Sequence, residues 1–363
     1  MDHFDHFNQR IKTDQEILSK IGKIDEFKGL WQGSLRLSPQ ILSRLKQSVL
    51  ITSSGASTRI EGARMSDQEV ARLLRGLHRQ PPVGCDEEEV AGYADLLGRI
   101  FDNYKTFTLT EGRILQFHDI LLHFSKKDKI HKGTYKSTDN EVVMKNERGE
   151  KILMFKPSPA YLIKKEMDNI LFWTNDELRK GRLHPLMIVA NFIFEFLAIH
   201  PFADGNGRLS RALTSLLMLK AGYSYVPYVS MEEIIERQRP EYYLALRATQ
   251  KSHKTDQADI TPWVNFLFDI LIEQIVRARK IIDSDQPEKL LSEKQLAIYK
   301  LFDQKEVLSK GEIHDLLGRS MPEVSIRQVL SRLMTFKLVE RMGAGRGIRY
   351  EKINSVNSNY KND

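Results

Sequence analysis

Cysteine is nearly absent: the 363-residue chain has one, Cys85. That excludes an internal disulfide framework and a zinc site built from several thiolates. Asp86, Glu87, Glu88 and Glu89 follow it and disfavour the thiolate that a nucleophile would need. Long apolar runs are also missing. The most apolar stretch, Met187 to Ile199, is broken by Asn191 and Glu195 and is too short to span a bilayer, so no membrane segment is expected. The opening Met1-Asp2-His3-Phe4-Asp5 has neither the basic region nor the apolar run of a secretory leader, and the cytoplasm is the expected compartment. No short-period repeat or low-complexity tract interrupts the chain.

What is present is a globular composition. Hydrophobic residues make up 41% and charged residues 28%, enough for two or three domains with their own cores. The net charge of +7 admits an anionic partner, nucleotide or nucleic acid, without bearing on the fold.

The pattern is mostly helical. Ser38-Pro39 is a helix start ahead of Ile41, Leu42, Leu45, Val49 and Leu50 at helical spacing. Further helices are expected from Ser66 to Leu77, Glu88 to Phe101 and Thr110 to Phe124, with Pro81-Pro82-Val83-Gly84 as a break. Glu141–Lys145 and Glu150–Phe155 flank Asn146-Glu147-Arg148-Gly149, which predicts a β-hairpin. His184-Pro185 opens a long apolar helix that ends at His200. Leu209, Leu213, Leu216, Leu217 and Leu219 continue helically to the glycine stop at Ala221-Gly222. Helices near 231–250 and 261–282 follow, then a polar linker from Asp283 to Pro287.

The tail, residues 290–352, has three short helical patterns. Ser309 and Ser325 are expected to cap the second and third, and a glycine turn at Gly343-Ala344-Gly345 joins two strand patterns. That order reads as a winged helix-turn-helix domain. The fold expected is therefore mainly α: an N-terminal helical region (1–112), a helical core with a β-hairpin flap (113–282), the winged helix-turn-helix domain (290–352) and a mobile, disordered end (353–363).

One segment concentrates the chemistry: His200-Pro201-Phe202-Ala203-Asp204-Gly205-Asn206-Gly207-Arg208-Leu209-Ser210-Arg211. Gly205-Asn206-Gly207 can turn several backbone N–H groups toward one point, and the dipole of the helix that follows adds to an anion site. Arg208 and Arg211, three apart, can fork onto phosphate oxygens. Asp204 can supply the carboxylate that Mg²⁺ takes beside substrate phosphates. His200 is a candidate general base, and Phe202 an anchor for the loop. Asn206 can tolerate a left-handed turn and also donate to phosphate. Tyr242 and Tyr243 could wall an adenine pocket or pack in the core. Glu195 reads as a structural partner for some donor, and His118 and His184 as ordinary helix residues.

The segment matches every specified position of the signature His-Pro-Phe-x-Asp/Glu-Gly-Asn-Gly-Arg-x-x-Arg and so resembles the Fic (Fido) family, over about residues 40 to 270. Most members transfer AMP from ATP to a hydroxyl side chain of a target protein. The resemblance implies that His200 takes the hydroxyl proton and that Asp204 holds Mg²⁺. Gly205, Asn206, Gly207, Arg208, Arg211 and Tyr243 would bind the nucleotide. Glycine at position 207, where phosphorylating members carry lysine, favours adenylylation. Gly133-Thr134-Tyr135 resembles the start of the family's target-docking flap, with Val142 and Val143 on its strand. Lys136 departs from the arginine many relatives carry there. Ser57-Thr58-Arg59-Ile60-Glu61-Gly62 resembles the inhibitory motif of self-restrained members, and implies that Glu61 pairs with Arg211 where the γ-phosphate would lie. In some relatives the same glutamate also helps to remove AMP.

Partners follow from these readings: a target protein with a Ser, Thr or Tyr hydroxyl, the chain itself as substrate, DNA through the winged helix, and a homodimer. Two rivals stand beside them. One is phosphoryl or phosphocholine transfer in the same cradle. The other is a DNA-binding regulator whose nucleotide domain only senses. Arg327, Arg332, Lys337, Arg341, Arg346 and Arg349 against Glu340 suit a DNA-facing tail; a protein-interaction module with a solvated basic face suits them as well.

Overall fold

The computed structural model describes residues 5–33, 39–77, 79–145, 151–283, 291–335, 338–343 and 345–353. The hairpin turn at 146–149, most of the linker, the wing residue Ala344 and the end from Asn354 lie outside them. Contacts divide the chain into two units, one of residues 1–33 and 44–278 and one of residues 34–43 and 279–363.

The first unit is helical: α1 (Asp5–Gln9), α2 (Gln15–Gly33), α3 (Pro39–Ile60, shared with the other unit), α4 (Asp67–Gly76), α5 (Cys85–Asn103), α6 (Glu111–Leu121), α7 (Ile163–Lys180), α8 (Pro185–Ile199), α9 (Asn206–Lys220), α10 (Met231–Arg237), α11 (Arg239–Gln250) and α12 (Thr261–Asp283). Helix α5 starts at Cys85, three residues ahead of the expected Glu88. Gly84 (φ 102) sets the break, and Asp86, Glu87 and Glu88 occupy the first turn, where the helix dipole favours negative charge. Ser66 closes a reciprocal capping box with Glu69 at the head of α4. Helix α6 ends at Leu121, short of the expected Phe124.

Helix α8 organises this unit. All of its residues from Leu186 to Ile199 are buried, as an all-round apolar helix requires, and it packs between α7 and α9. Its two polar residues are matched. Asn191 and Glu195 both take Arg10, Asn191 donates to the Phe7 carbonyl at 2.8 Å, and His253 sits 3.1 Å from Glu195. Burial alone would raise the Glu195 pKa, but the charge of Arg10 holds it well below the usual carboxylate range. Glu195 is thus the structural partner expected.

Strands β1 (Val142–Lys145) and β2 (Lys151–Phe155) pair antiparallel, with Val142 opposite Phe155 and Val143 opposite Leu153, so the register shifts between the two valines. Among the described residues no helix is long and apolar enough to cross a membrane.

The second unit contains α13 (Glu293–Gln304), β3 (Val307–Leu308), α14 (Lys310–Leu316), α15 (Glu323–Thr335), β4 (Val339–Met342) and β5 (Arg349–Lys352). Its sheet is antiparallel in the order β3-β5-β4, over a core that includes Ile298, Phe302, Ile313, Ile326 and Leu330. Ser309 caps α14 through a capping box with Glu312. Ser325 does not cap α15, which begins two residues earlier at Glu323, with Ile326 N–H bonded to the Pro322 carbonyl. Glu323 in the first turn suits the positive helix end, so the start lies ahead of the serine.

Close approach of α5 and α6 rests on Gly92, where a Cβ would lie 2.0 Å from the Leu121 carbonyl oxygen. Replacing Gly92 by Ala should cost about 2 kcal/mol, overpacking outweighing the gain in helix propensity. At Gly98 on the same helix the nearest atom to a Cβ is 3.9 Å away, so Gly98→Ala should stabilise by up to ~1 kcal/mol. Denaturant unfolding of both variants checks the pair, and equal effects would remove the packing account.

Candidate active site

The site forms where α8 ends and α9 begins. His200 caps α8 in the left-handed region (φ 53), with its N–H on the Phe196 carbonyl. Such a conformation is uncommon outside glycine and is held by its surroundings. Gly205 then takes φ 83 ahead of α9, so the left-handed turn falls on Gly205 and not on Asn206. The Asn206 side chain is spent within the loop: its Oδ1 accepts from Phe202 N–H at 3.0 Å and its Nδ2 donates to Phe202 O at 2.8 Å. That clamp fixes the first turn of α9, whose unpaired N–H groups remain the anion-attracting feature.

Beneath the loop lies His118, which the helical pattern marked as ordinary. It is fully buried and stacked on Phe202 with ring centroids 3.7 Å apart. Its Nδ1 accepts from Gly133 N–H at 3.0 Å, which leaves the proton on Nε2 to donate to the Asp204 carbonyl at 3.0 Å. One imidazole thus joins the start of the flap to the motif loop. Gly133 (φ 69) needs its glycine there. Tyr135 reaches the Phe202 ring at 5.5 Å, and Lys136 N–H bonds to the Pro201 carbonyl. Val142 is half-buried; Val143 is defined by its strand pairing with Leu153.

The two arginines have separate partners within the protein. Arg208, 1% exposed, lies 3.1 Å from Glu89 and 3.1 Å from Asp204. Arg211 donates from Nε to Ser57 Oγ (2.9 Å) and from Nη2 to Ser57 O (2.8 Å) and Glu61 Oε1 (2.9 Å). Burial would lower the Arg211 pKa, but the Glu61 carboxylate outweighs it and the guanidinium stays charged. A Cβ at Gly207 would lie 2.2 Å from Glu61 Oε1, so this carboxylate rests directly against the loop. Tyr242 is buried with Trp263 and Phe266. Tyr243 sits beside the end of α3, its hydroxyl 3.5 Å from the Ile60 carbonyl.

Burial lowers the His200 pKa to about 4, Lys136 adding to the effect against Glu61 and Asp204. The imidazole is therefore neutral at physiological pH, as a proton acceptor must be. Burial would raise the Asp204 carboxyl, but Arg208 and Lys127 hold it below its ordinary value. Asp204 accepts from Gly205 N–H at 2.6 Å and keeps Oδ2 toward the exposed Lys127. Among the described residues no cluster of three metal-binding side chains exists. A single ionised, partly exposed carboxylate is still the donor set Mg²⁺ uses when phosphates supply the remaining ligands, so the residues fit such an ion.

Helix α3 is fixed by side chains that the motif reading missed. Ser53 and Tyr93 donate to the two oxygens of buried Glu232 at 2.7 Å each. Arg59 forks onto Glu236 at 2.6 and 2.9 Å. Glu89, Lys127, His118, Glu232 and Glu236 all lie outside the contiguous motif, and their only sequence signal is a charged or polar residue on an amphipathic helix or turn.

His118 is buried neutral, with its pKa pushed down to about 4 by burial, whereas in the unfolded chain it titrates near ~6.5. The folded state then binds fewer protons between those values, so this contribution to stability is complete above pH ~6.5 and lost as pH falls toward ~4. Its size is on the order of 3 kcal/mol. The stability gap between wild type and His118→Gln should narrow by that order across this window in urea unfolding. A pH-independent gap would overturn the assignment.

The comparisons agree with the geometry. The Fic/DOC family matches residues 108–218. The chain is similar to the protein adenylyltransferase Fic of Drosophila mojavensis, 36% identical over 103 residues, 28% of this chain and 18% of that protein. The Drosophila melanogaster protein of the same name is 37% identical over 97 residues, 27% and 17% of the two chains. The match thus spans under a fifth of these curated relatives. Among solved structures, a Fic family protein from Desulfovibrio desulfuricans G20 aligns with TM-score 0.63 and 23% identity over 95% of this chain and 98% of its own. A Fic domain containing signaling protein from Bacteroides thetaiotaomicron VPI-5482 aligns with TM-score 0.59 and 24% identity over 75% and 99%. These structural likenesses speak to the fold. With the motif loop and the family match in one place, residues 108–218 of this chain form a Fic/DOC family domain.

Proposed function

We propose that this protein is a protein adenylyltransferase, moving AMP from ATP to a hydroxyl side chain of a target protein, and that Glu61 restrains it. The observation that carries the reading is the Glu61 carboxylate, 2.9 Å from Arg211 and pressed against Gly207. A carboxylate drawn to that point occupies an anion position built from a guanidinium and a helix N-terminus, where a terminal phosphate would otherwise lie.

With the nucleotide bound, the N–H groups of Gly205, Asn206 and Gly207 and the side chains of Arg208 and Arg211 would hold its phosphates. Asp204 would hold Mg²⁺, whose charge offsets that of the phosphates. The His200 ring, which lies by the Leu197 carbonyl, would carry its proton on Nδ1 and take the proton of the attacking hydroxyl at Nε2. The new oxygen–phosphorus bond forms at the α-phosphate while the bond to the β-phosphate oxygen breaks, and pyrophosphate leaves. The flap from Gly133 through Tyr135 to Val142 and Val143 would dock the target main chain by strand addition, and Tyr243 would flank the base. The proposed domains are an N-terminal helical region at 1–112, a catalytic core at 113–282 and a winged helix-turn-helix at 290–352.

For the second unit we propose a winged helix-turn-helix that binds DNA. Arg327, Gln328 and Arg332 are exposed on α15, with Arg341 and Arg349 exposed on the adjoining strands. A gel-shift titration should show affinity falling steeply with salt, as phosphate neutralisation requires; no shift at low salt would leave a protein-interaction module.

With α-labelled ATP and Mg²⁺, wild type should label itself weakly, Glu61→Gly at least ~10-fold more strongly, and His200→Ala not at all. Label from γ-labelled ATP should not be retained. Equal labelling by wild type and Glu61→Gly would remove the restraint, and retained γ-label would replace adenylylation by phosphoryl transfer.

A further inference from the structure

Four charges, the buried Arg208 among them, alternate in a ring. Glu89 gives one oxygen to Arg208 at 3.1 Å and the other to Lys127 at 3.2 Å. Asp204 does the same, with Oδ1 3.1 Å from Arg208 and Oδ2 3.2 Å from Lys127. The two cations differ in kind: the Arg208 side chain is 1% exposed and the Lys127 side chain 50%. One side of the ring is therefore sealed in the fold, and the other opens to solvent at the Asp204 oxygen that a metal would use.

We propose that the Lys127 ammonium stands in for the divalent cation at Asp204, so that a metal arriving with the nucleotide enters by displacing it. The inference rests on the reading of Asp204 as the metal-holding carboxylate. Two features of the ring make the exchange feasible. Glu89 keeps Arg208 paired when Asp204 turns its charge toward a metal, so no buried guanidinium is left uncompensated. Glu89 also retains Lys127 through its other oxygen, and the half-exposed lysine needs only a local swing of its stem. Without a metal, the ammonium offsets the charge of Asp204 and holds the loop carboxylate in its working position. An ion pair this exposed is weak, so its competition should shift apparent metal affinity by about three- to tenfold, not by orders of magnitude.

Manganese is the probe, titrated by electron paramagnetic resonance against full-length protein saturated with a non-hydrolysable ATP analogue. Lys127→Met should bind Mn²⁺ three- to tenfold more tightly than wild type, by about the margin expected for an exposed pair. Lys127→Arg, which keeps the charge, should stay within about twofold of wild type. Lys126→Met is the control for charge alone: its ammonium is 3.4 Å from Glu88 and 72% exposed, and its loss should leave binding unchanged. Equal affinity in wild type and Lys127→Met would overturn the inference, as would the same tightening in Lys126→Met. Should wild type and Asp204→Asn bind Mn²⁺ alike, the assignment of Asp204 falls first and the inference with it.

Discussion

A guanidinium taken out of water must be met by negative charge, and the site satisfies that requirement twice within four residues. Arg211, 2% exposed, is met by Glu61, and Arg208, 1% exposed, by Glu89 and Asp204. Leaving either bare would cost several kcal/mol. The same uncompensated positive potential is what would draw a polyphosphate. The restraint and the substrate binding proposed above would thus be two ways of meeting one electrostatic demand: Glu61 supplies charge from within the chain, and a nucleotide would supply it from outside.

The geometry around that charge depends on a buried apolar helix ending at a defined point. Helix α8 is enclosed along its length, so His200 cannot drift along its axis. The left-handed cap then sends the chain back across the His118–Phe202 stack. His118 fixes the loop through a carbonyl and the flap through an N–H, with no charged form involved. A neutral imidazole suits this post, because a protonated one would place a buried positive charge near Arg208. Burial accounts for both depressed histidines, one serving structure and the other available for proton transfer.

Sequence reasoning reached what is contiguous. The loop from His200 to Arg211, the hairpin strands and the helix ending at His200 are each written in neighbouring residues, and Glu61 was legible because its motif is also local. What it missed lies far along the chain. His118 meets a loop 86 residues away, and its place on an amphipathic helix is no different from that of a core histidine. Glu89 stands in a run of four acids, of which nothing local singles out the one that turns toward Arg208. The expectation that Arg208 and Arg211 share one ligand followed from their spacing. In the structure each is paired with carboxylates of its own, Arg208 with Glu89 and Asp204 and Arg211 with Glu61, which local spacing could not show. Ser325 failed for a local reason: serine is a good cap, but the helix already starts at Glu323.

The anchoring of α3 bears on how the proposed restraint could be lifted. Ser53, Tyr93 and Glu232 form a buried hydrogen-bonded set, and Arg59 forks onto Glu236 only two residues before Glu61. Moving the whole helix would break the Ser53–Glu232 hydrogen bond and the Arg59–Glu236 fork together, with only Tyr93 and Ser230 left donating to the buried Glu232, a cost on the order of 2 kcal/mol or more. Moving Glu61 alone breaks one ion pair at a side chain that is 34% exposed, and Ser57 continues to hold Arg211 meanwhile. A bound anion could then replace the carboxylate on Arg211 without any backbone shift. If Glu61 restrains the site as proposed, the fold would favour release by a turn of that one side chain over detachment of the helix, and would keep the helix in place for Glu61 to return.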